Sequence, residues 1–216
     1  MEQEYFIFHR DTLHLGEQGQ FYCSVGHNNA YYRTVAELHL RACLDAGLNI
    51  SGINAEIAPA QWEFQIGPCE GICAGDQLYM ARYLLERIAK AQGLIISYDP
   101  KALGPMYNGS GCHTNFSTKA MCDPGGLTHI YTAIDALRAK HAEHIAVYGE
   151  GNRKRLTGHH ETSEYESFTS GKADRGASIR IGSKTVNDGC GYFEDRRPAA
   201  NMNYLVTAKI FDTTRP

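Results

Sequence analysis

The sequence lacks the long apolar runs and the charge excess that mark several classes of protein. Its 216 residues contain no run of about 18 apolar residues, the length that a membrane-spanning helix needs. The N-terminus has no charged segment followed by an apolar one, so no secretory signal is predicted. The formal net charge is only −3, which gives no general argument for binding nucleic acid or a membrane surface. We therefore expect a cytoplasmic protein.

The seven cysteines also lack a pattern typical of metal sites. No C-x-x-C pair occurs. Cys69 and Cys73 come closest, but no second pair matches them. Zinc sites prefer paired ligands at short spacing. Free thiols in a reducing compartment are therefore the favoured interpretation.

Acidic residues in strand-like segments are the first positive signal. Glu2 and Glu4 lead into the aromatic and aliphatic run Tyr5–Phe8, which is typical of a β-strand. Residues two apart in a strand point to the same face, so the two carboxylates would lie about 7 Å apart. Such charges repel each other unless a cation lies between them. Three further candidates lie in similar segments: Glu56, Glu63 and His113. This set predicts a divalent-metal cluster with hard oxygen donors.

Positive charge is concentrated in the second half of the chain. The arginines there include Arg153, Arg155, Arg175, Arg180, Arg196 and Arg197. Arginine binds phosphate through paired hydrogen bonds, whereas carboxylates bind metal ions. The two sets together are what a site for metal ions and a polyphosphate requires. Taken alone, Arg197 is more typical of a solvated or structural residue.

The hydrophobic periodicity predicts an α+β fold, in which strands are interleaved with three long helices. Helices are expected over 31–46, over 76–92 with Asp76 as its cap, and over 126–145. Strands are expected over 5–9, 52–57, 61–67, 94–98, 177–181 and 191–194, and a Gly-rich turn leads into another strand within 108–118. In 61–67, Gln61, Glu63 and Gln65 would share a polar face that lines a cavity. Trp62 and Phe64 would pack on helices from the other face.

Six motifs occur in order along the chain: EQEY, NAEIAPAQWEFQIGP, NGSGCHTNFST, RLTGHHET, RGASIRIG and GYFEDRRP. Together they resemble the catalytic domain of glutamine synthetase of the eukaryotic type (type II), from Glu2 to about Thr214. The resemblance implies one catalytic domain over 1–216. Its fold would be the glutamine synthetase/guanido kinase-like fold, a curved antiparallel β-sheet that forms a half-barrel active site with outer helices.

The resemblance implies two sets of metal ligands. The metal beside the glutamate substrate would be held by Glu4, Glu56 and Glu63. The metal that bridges the nucleotide phosphates would be held by Glu2, His113 and Glu194. Both ions are expected to be Mg2+ or Mn2+, with ATP as co-substrate. Glu56 and His113 are also assigned to substrate binding.

The remaining site residues follow from the same resemblance. Asn108 and Gly109 match the loop that holds the amino-acid substrate, and Arg155 and Arg196 match residues that bind its carboxylate. Glu161 matches the flap carboxylate that shields the acyl phosphate and helps to form the ammonium site. Contacts to the nucleotide or its phosphoryl groups are assigned to Arg175, Arg180, Ser117 and Tyr192. Glu161, Arg155, Arg175 and Arg196 would be the catalytic group.

The implied reaction is the ATP-dependent joining of ammonia to L-glutamate through γ-glutamyl phosphate, giving glutamine, ADP and phosphate. The resemblance implies that the family's N-terminal β-grasp domain is absent from this sequence. Family members form homo-oligomers of stacked rings, in which that domain closes the active site of the neighbouring subunit. Two alternatives therefore stay open. One is a truncated, non-catalytic synthetase-like protein with a binding or assembly role, and the other is a ligase that joins glutamate to a different amine.

Overall fold

Each half of the chain contributes four β-strands and flanking helices. The computed structural model describes residues 1–9, 18, 22–26, 29–204, 207 and 211, and the backbone divides into a first unit, Met1–Ser110, and a second unit, Gly111–Pro216. The strands of the first unit are β1 (Glu2–His9), β2 (Ile50–Ala55), β3 (Gln61–Ile66) and β4 (Leu94–Ser97), and its α-helices are α1 (Arg33–Asp45) and α2 (Cys73–Ala91). The strands of the second unit are β5 (Cys112–Phe116), β6 (Ser170–Lys172), β7 (Ile179–Ile181) and β8 (Phe193–Asp195). Its α-helices are α3 (Lys119–Cys122), α4 (Leu127–Ala139), α5 (His141–Ile145) and α6 (Ser183–Asp188). Short 3-10 turns cover Tyr22–Ser24 and Asn152–Lys154.

The first unit is an antiparallel sheet in the order β2-β3-β1-β4. Its apolar face is buried: Tyr5 and Phe64 are fully inaccessible to solvent, and Trp62 is nearly so. Helix α1 packs on this face, where the ring of His39 meets the ring of Phe64 edge-on at a centroid distance of 4.8 Å. The alternation predicted for 61–67 is therefore found, because each apolar residue of β3 points away from Glu63.

The second unit pairs β5 with β8 and β8 with β7 in antiparallel fashion, whereas β6 and β7 run parallel. Its core lies between this sheet and α4, where Ile130, Ile134 and Leu137 pack with Ile179 and Phe193. Successive side chains of β8 point to opposite faces of the sheet, so Phe193 faces the core and Glu194 faces the other way.

The α+β class is confirmed, although several details differ from the sequence prediction. The parallel β6–β7 pair departs from the all-antiparallel sheet that was expected. The helix expected over 126–145 is divided at Lys140, whose φ of −113° and ψ of 17° are not helical. Helix α2 begins at Cys73, so Asp76 lies within its first turn and is not its cap. Short elements such as β6 and α6 carry too few residues to give a periodic signal, and no prediction was made for them.

Among the described residues, no helix has both the length and the apolar character that are needed to cross a membrane.

Candidate active site

Three carboxylates of the first unit converge on one point. Glu4 on β1, Glu63 on β3 and Glu56 just after β2 each offer an oxygen, and these oxygens lie within 4.8 Å of one another. Glu4 and Glu63 keep only 8% and 7% of their surface exposed. Hard divalent cations prefer clustered carboxylate oxygens of this kind.

Strand register explains the convergence. Glu4 lies directly opposite Glu63 in the β1–β3 pair, and Glu2 lies opposite Gln65. The four side chains therefore share the face that is opposite the aromatic core. Glu56 is placed by the turn that joins β2 to β3, where its backbone N–H donates to the carbonyl of Gln61 over 2.8 Å.

The electrostatics of this cluster favour a cation. The pKa of Glu63 is raised to about 9, chiefly by burial and then by the neighbouring carboxylates of Glu56 and Glu2, against a hydrogen bond from Gln65. A carboxyl group with this pKa holds a proton at neutral pH, because burial and the neighbouring negative charges disfavour its ionised form. A bound divalent cation would supply a compensating positive charge, so the donor set fits a metal ion.

Two amide side chains hold the carboxylates in place. Gln65 Nε2 donates to Glu63 Oε1 and, over 2.6 Å, to Asn54 Oδ1. Asn54 Nδ2 in turn donates to Glu56 Oε1 over 2.9 Å. Gly52 leaves room for this network, since a Cβ at that position would lie 2.7 Å from Gln65 Oε1. The amides thus set the directions in which Glu56 and Glu63 present their oxygens.

The loop that contains Asn108 and Gly109 is fixed on both sides. The backbone N–H of Asn108 donates to Gln18 Oε1 over 2.6 Å, and Gln18 Nε2 donates to Asn108 Oδ1 over 3.2 Å. The carbonyl of Gly109 accepts a hydrogen bond from Gln61 Nε2 over 3.0 Å. Strand β3 therefore positions this loop as well as one of the carboxylates.

Glu194 is the centre of a charged group in the second unit. It is almost fully buried on β8 and lies opposite Arg180 of β7. Arg180 Nε lies 2.5 Å from one of its oxygens, and Arg196 Nη1 donates to the other over 2.7 Å. His113 Nδ1 lies 3.4 Å from that second oxygen. One carboxylate therefore orients two guanidinium groups and an imidazole.

Arg155 is buried and binds the backbone that follows β8. Its Nη2 donates to the carbonyls of Arg196 and Pro198 over 2.7 and 2.9 Å. Gly111 allows this approach, because a Cβ there would come within 2.9 Å of Arg155 Nη2 and 2.8 Å of His113 Nε2. The guanidinium thus supports the position of Arg196 directly.

The segment around Glu161 is held in an uncommon backbone conformation. His160 and Glu161 have φ values of 54° and 60°, a left-handed region that non-glycine residues rarely adopt. Arg175 Nη1 donates to Glu161 Oε2 over 3.1 Å, and Arg196 Nη2 donates to the Glu161 carbonyl over 3.3 Å. Strain of this kind is concentrated at functional sites and persists where surrounding contacts impose it.

Ser117 and Tyr192 lie at one end of the β5–β8 pair. Phe116 pairs with Phe193, so the next residues outward on the two strands are Ser117 and Tyr192. Both are exposed, Tyr192 to 48%. A tyrosine ring so exposed beside a strand end offers a flat apolar surface to a ligand.

Comparison with known proteins decides the family. The model of the family "Glutamine synthetase, catalytic domain" matches residues 1–214. The chain belongs to this family. The relationship with the eukaryotic type, predicted from the six motifs, is confirmed.

Curated relatives match nearly the whole chain. Glutamine synthetase of Yarrowia lipolytica is 54% identical over 99% of this chain and 61% of its own length. The glutamine synthetase nodule isozyme of Medicago sativa and cytosolic isozyme 1 of Glycine max are both 51% identical, over 99% of this chain and 63% of each relative. This family member therefore spans a little over three fifths of the length of these relatives.

A solved structure has the same fold. The cryo-EM structure of Plasmodium falciparum glutamine synthetase superposes with a TM-score of 0.80, covering 99% of this chain and 50% of that one, at 17% sequence identity.

The structure groups the residues assigned from sequence within each unit. Glu4, Glu56 and Glu63 lie together in the first unit, and His113, Glu194 and the arginines lie together in the second. Glu2 belongs to the first unit, so the complete second ligand set stays a prediction, as do the roles of the individual residues.

Sequence reasoning missed the residues that support this site. Gln65 and Asn54 brace the carboxylates, and Gln18 holds Asn108. A signal was present for the first two, since Gln65 shares the face of Glu63 and Asn54 precedes Glu56 by two positions. Nothing in the sequence pointed to Gln18, because its partner lies 90 residues away.

Proposed function

We propose that this chain is the catalytic part of a glutamate–ammonia ligase. The reaction joins ammonia to the side-chain carboxylate of L-glutamate, with ATP converted to ADP and phosphate through γ-glutamyl phosphate. The convergence of Glu4, Glu56 and Glu63 carries the proposal, because closely clustered carboxylates suit a metal-dependent phosphoryl transfer. The match to the family over residues 1–214 supports it.

The three carboxylates would hold a Mg2+ or Mn2+ ion. Such an ion, when bound, supplies charge stabilisation for the oxygens of the phosphoryl group in transfer. Asn54 and Gln65 would keep Glu56 and Glu63 oriented toward it. We extend the proposal to a second ion held by His113, Glu194 and Glu2.

The arginines of the second unit would bind the anionic substrates. Glu194 occupies one edge of the Arg180 and Arg196 guanidinium groups. A guanidinium group has five N–H donors, and their planar arrangement suits phosphoryl and carboxylate oxygens. Arg180 is assigned to the phosphoryl group and Arg196 to the glutamate carboxylate. Arg155 would act with Arg196, whose carbonyl it holds. Asn108 and Gly109 would bind the amino-acid substrate from their braced loop.

Glu161 would act at the second half of the reaction. Ammonia attacks the acyl phosphate, the C–N bond forms, and phosphate leaves. A carboxylate nearby attracts ammonium and stabilises its positive charge until a proton is lost. Glu161 is partly exposed, with a side-chain exposure of 31%, and Arg175 holds one of its oxygens. Arg175, Ser117 and Tyr192 would contact the nucleotide side of the site.

The wider context is also part of the proposal. The Glycine max relative is a cytosolic isozyme, and we place this chain in the cytosol by analogy. We also propose that it functions within a homo-oligomer of stacked rings, as the family resemblance implies.

The test is γ-glutamyl transfer to hydroxylamine by the purified chain with glutamine, ADP, arsenate and Mn2+. A chimera that adds the unmatched part of the Yarrowia lipolytica relative is assayed beside it, because this chain covers 61% of that protein. Transfer by either protein supports the proposal, provided that Glu63→Gln removes it. The exposed Glu37 on α1 provides the control Glu37→Gln, which should leave the rate unchanged.

Binding assays interpret the result in which neither protein shows transfer activity. Binding of Mn2+ and ADP without transfer by either protein would overturn the catalytic proposal and favour a synthetase-like binding protein. In the forward reaction with glutamate and ATP, joining of glutamate to another amine but not to ammonia would favour the ligase alternative.

A further inference from the structure

Two free cysteines meet in the loop between β3 and α2. Asn49 Nδ2 donates to Cys69 Sγ over 3.8 Å, and Gln77 Nε2 donates to Cys73 Sγ over 3.1 Å. The two amide residues are themselves joined, since the backbone N–H of Asn49 donates to Gln77 Oε1 over 2.6 Å. The Cys73 thiol also contributes to a raised pKa of Cys69, which places the two sulfurs near each other. The four residues therefore form a closed ring of contacts.

The backbone holds this ring in place. Gly67 donates its N–H to the carbonyl of Asn49 over 2.7 Å, and Cys73 donates its N–H to the carbonyl of Glu70 over 3.2 Å. Asn49 Nδ2 also donates to the Pro68 carbonyl over 3.4 Å. The two sulfurs are thus kept together by contacts with the end of β3, the approach to β2 and the first turn of α2.

The two thiols differ in exposure. Cys73 is exposed and Cys69 is half-buried, whereas Cys43 and Cys112 are buried. Burial raises the pKa of Cys69, and the hydrogen bond from Asn49 opposes that shift. An oxidant from solvent therefore reaches Cys73 first, with Cys69 behind it as a resolving thiol.

We propose that Cys69 and Cys73 are a redox-active dithiol that closes to an intramolecular disulfide when a peroxide oxidises Cys73. In the first step the Cys73 sulfur takes one peroxide oxygen and becomes a sulfenic acid, and one water is released. In the second step the Cys69 sulfur attacks that sulfur, the S–S bond forms, and the hydroxyl leaves as a second water. One peroxide is reduced for two thiols oxidised.

The chain offers a direct assay, because Glu70 lies between the two cysteines. Cleavage after glutamate gives the fragments 64–70 and 71–86, each with one cysteine. The intact chain is treated with hydrogen peroxide, its remaining thiols are alkylated, and the digest is examined by mass spectrometry. We expect the two fragments to remain joined, two hydrogens lighter than their sum, and to separate on reduction. Separate fragments in which both cysteines are alkylated or over-oxidised would overturn the proposal.

Variants test the pairing and the ring. Cys73→Ser lies at an exposed position and should fold normally, yet it should abolish the joined fragments. Cys122→Ser, at another exposed cysteine, should leave them unchanged. Gln77→Leu removes the donor to Cys73 and should slow disulfide formation several-fold. Joining of Cys69 to a different cysteine, or to a second molecule, would show that the pair is not a built site.

Discussion

Arg197 holds Asp195 from within the core of the second unit. Its Nε and Nη2 donate to the two carboxylate oxygens over 2.9 and 2.7 Å, and both side chains are fully buried. Tyr148 donates its hydroxyl to the same carboxylate over 2.8 Å. Burial alone would raise the pKa of Asp195, but the Arg197 charge and these hydrogen bonds hold it below its usual range. Glu194 and Arg196 alternate with this pair along the chain, so the buried pair fixes the strand that presents them.

Replacement of Arg197 should therefore be costly. Arg197→Met would leave an unpaired carboxylate in the core, and we expect a loss of about 3–5 kcal/mol in the free energy of unfolding. Urea denaturation followed by circular dichroism measures it. Lys184→Met removes the exposed Lys184–Asp188 pair and should change stability little. Equal losses in the two variants would show that the buried pair is not structural.

A second prediction concerns Gly52, which contacts no proposed metal ion. In Gly52→Ala the new Cβ would lie 2.7 Å from Gln65 Oε1, so the Gln65 side chain must turn away from Asn54 and Glu63. Because Gln65 is flexible at its far end, the fold should persist while Mn2+ affinity falls, by roughly 10-fold or more if it follows the usual cost of losing a supporting contact. Isothermal titration calorimetry measures the change.

The matched control for this prediction is Gly182→Ala. The nearest atom to a Cβ at Gly182 lies 4.0 Å away, and the φ of −60° suits alanine. Mn2+ affinity should be the same as in the unmodified chain. If Gly52→Ala also left it unchanged, Gln65 would have no part in orienting Glu63.

The sequence predicts the features of this site that depend on local chain geometry, but not those that depend on how the strands pair. The side-chain period of a strand is a local property, so the shared face of Glu2, Glu4 and the polar residues of β3 could be predicted. The pairing of Glu4 with Glu63 could not, because a shift of two residues keeps every side chain on the same face. Only the packed sheet selects that register.

The burial of a charged side chain is a second feature that the sequence alone does not predict. Arg197 was expected to be solvated or structural, and the structure settles it as structural and fully buried. Its partner Asp195 lies two positions earlier, but the same spacing is common on solvated strand faces. The difference comes from Tyr148 and Phe168, whose rings lie 5.1 and 5.0 Å from the Arg197 guanidinium. Those contacts are distant in sequence and form only on folding.

Acid should destabilise the first unit through His39. This side chain is fully buried on α1, and its Nε2 lies 2.9 Å from the carbonyl of Ala81. Burial lowers the pKa of His39 to about 4, from an ordinary value of 6.5. Between these values the unfolded chain binds a proton that the folded chain does not. The contribution of His39 to the free energy of unfolding is therefore complete above about pH 6.5. It falls by on the order of 3 kcal/mol as the pH falls toward 4.

Urea unfolding at several pH values measures how steeply the free energy of unfolding changes with pH. His39→Gln keeps an amide that can donate to Ala81 but cannot titrate, so its stability should fall less steeply between pH 6.5 and 4. Part of the slope should remain, because burial and the Arg197 charge also lower the pKa of His144 to about 4. The two curves should be parallel above pH 7. Identical slopes below pH 6.5 would mean that His39 is protonated in the folded chain.

Loss of the Glu161 carboxylate should uncouple the two halves of the proposed reaction. Glu161→Ala removes the group that would attract ammonium and cover the acyl phosphate, whereas the carboxylates of the proposed metal site are untouched. We expect glutamate-dependent phosphate release from ATP to continue while amide formation falls by at least about 10-fold, a difference of roughly 1.4 kcal/mol in the barrier. Phosphate and glutamine are measured in the same reaction, with whichever of the chain and the chimera is active.

The control for Glu161 is a nearby carboxylate with a similar partner. Glu166 is exposed and is paired with Arg153, just as Glu161 is paired with Arg175. Glu166→Ala should leave both products unchanged, because an exposed ion pair contributes little. Alanine also keeps the demand for a left-handed backbone at 161, where φ is 60°, so a change in the product ratio would report the carboxylate itself. An unchanged glutamine yield in Glu161→Ala would remove Glu161 from the proposed chemistry and leave its contact with Arg175 as a structural one.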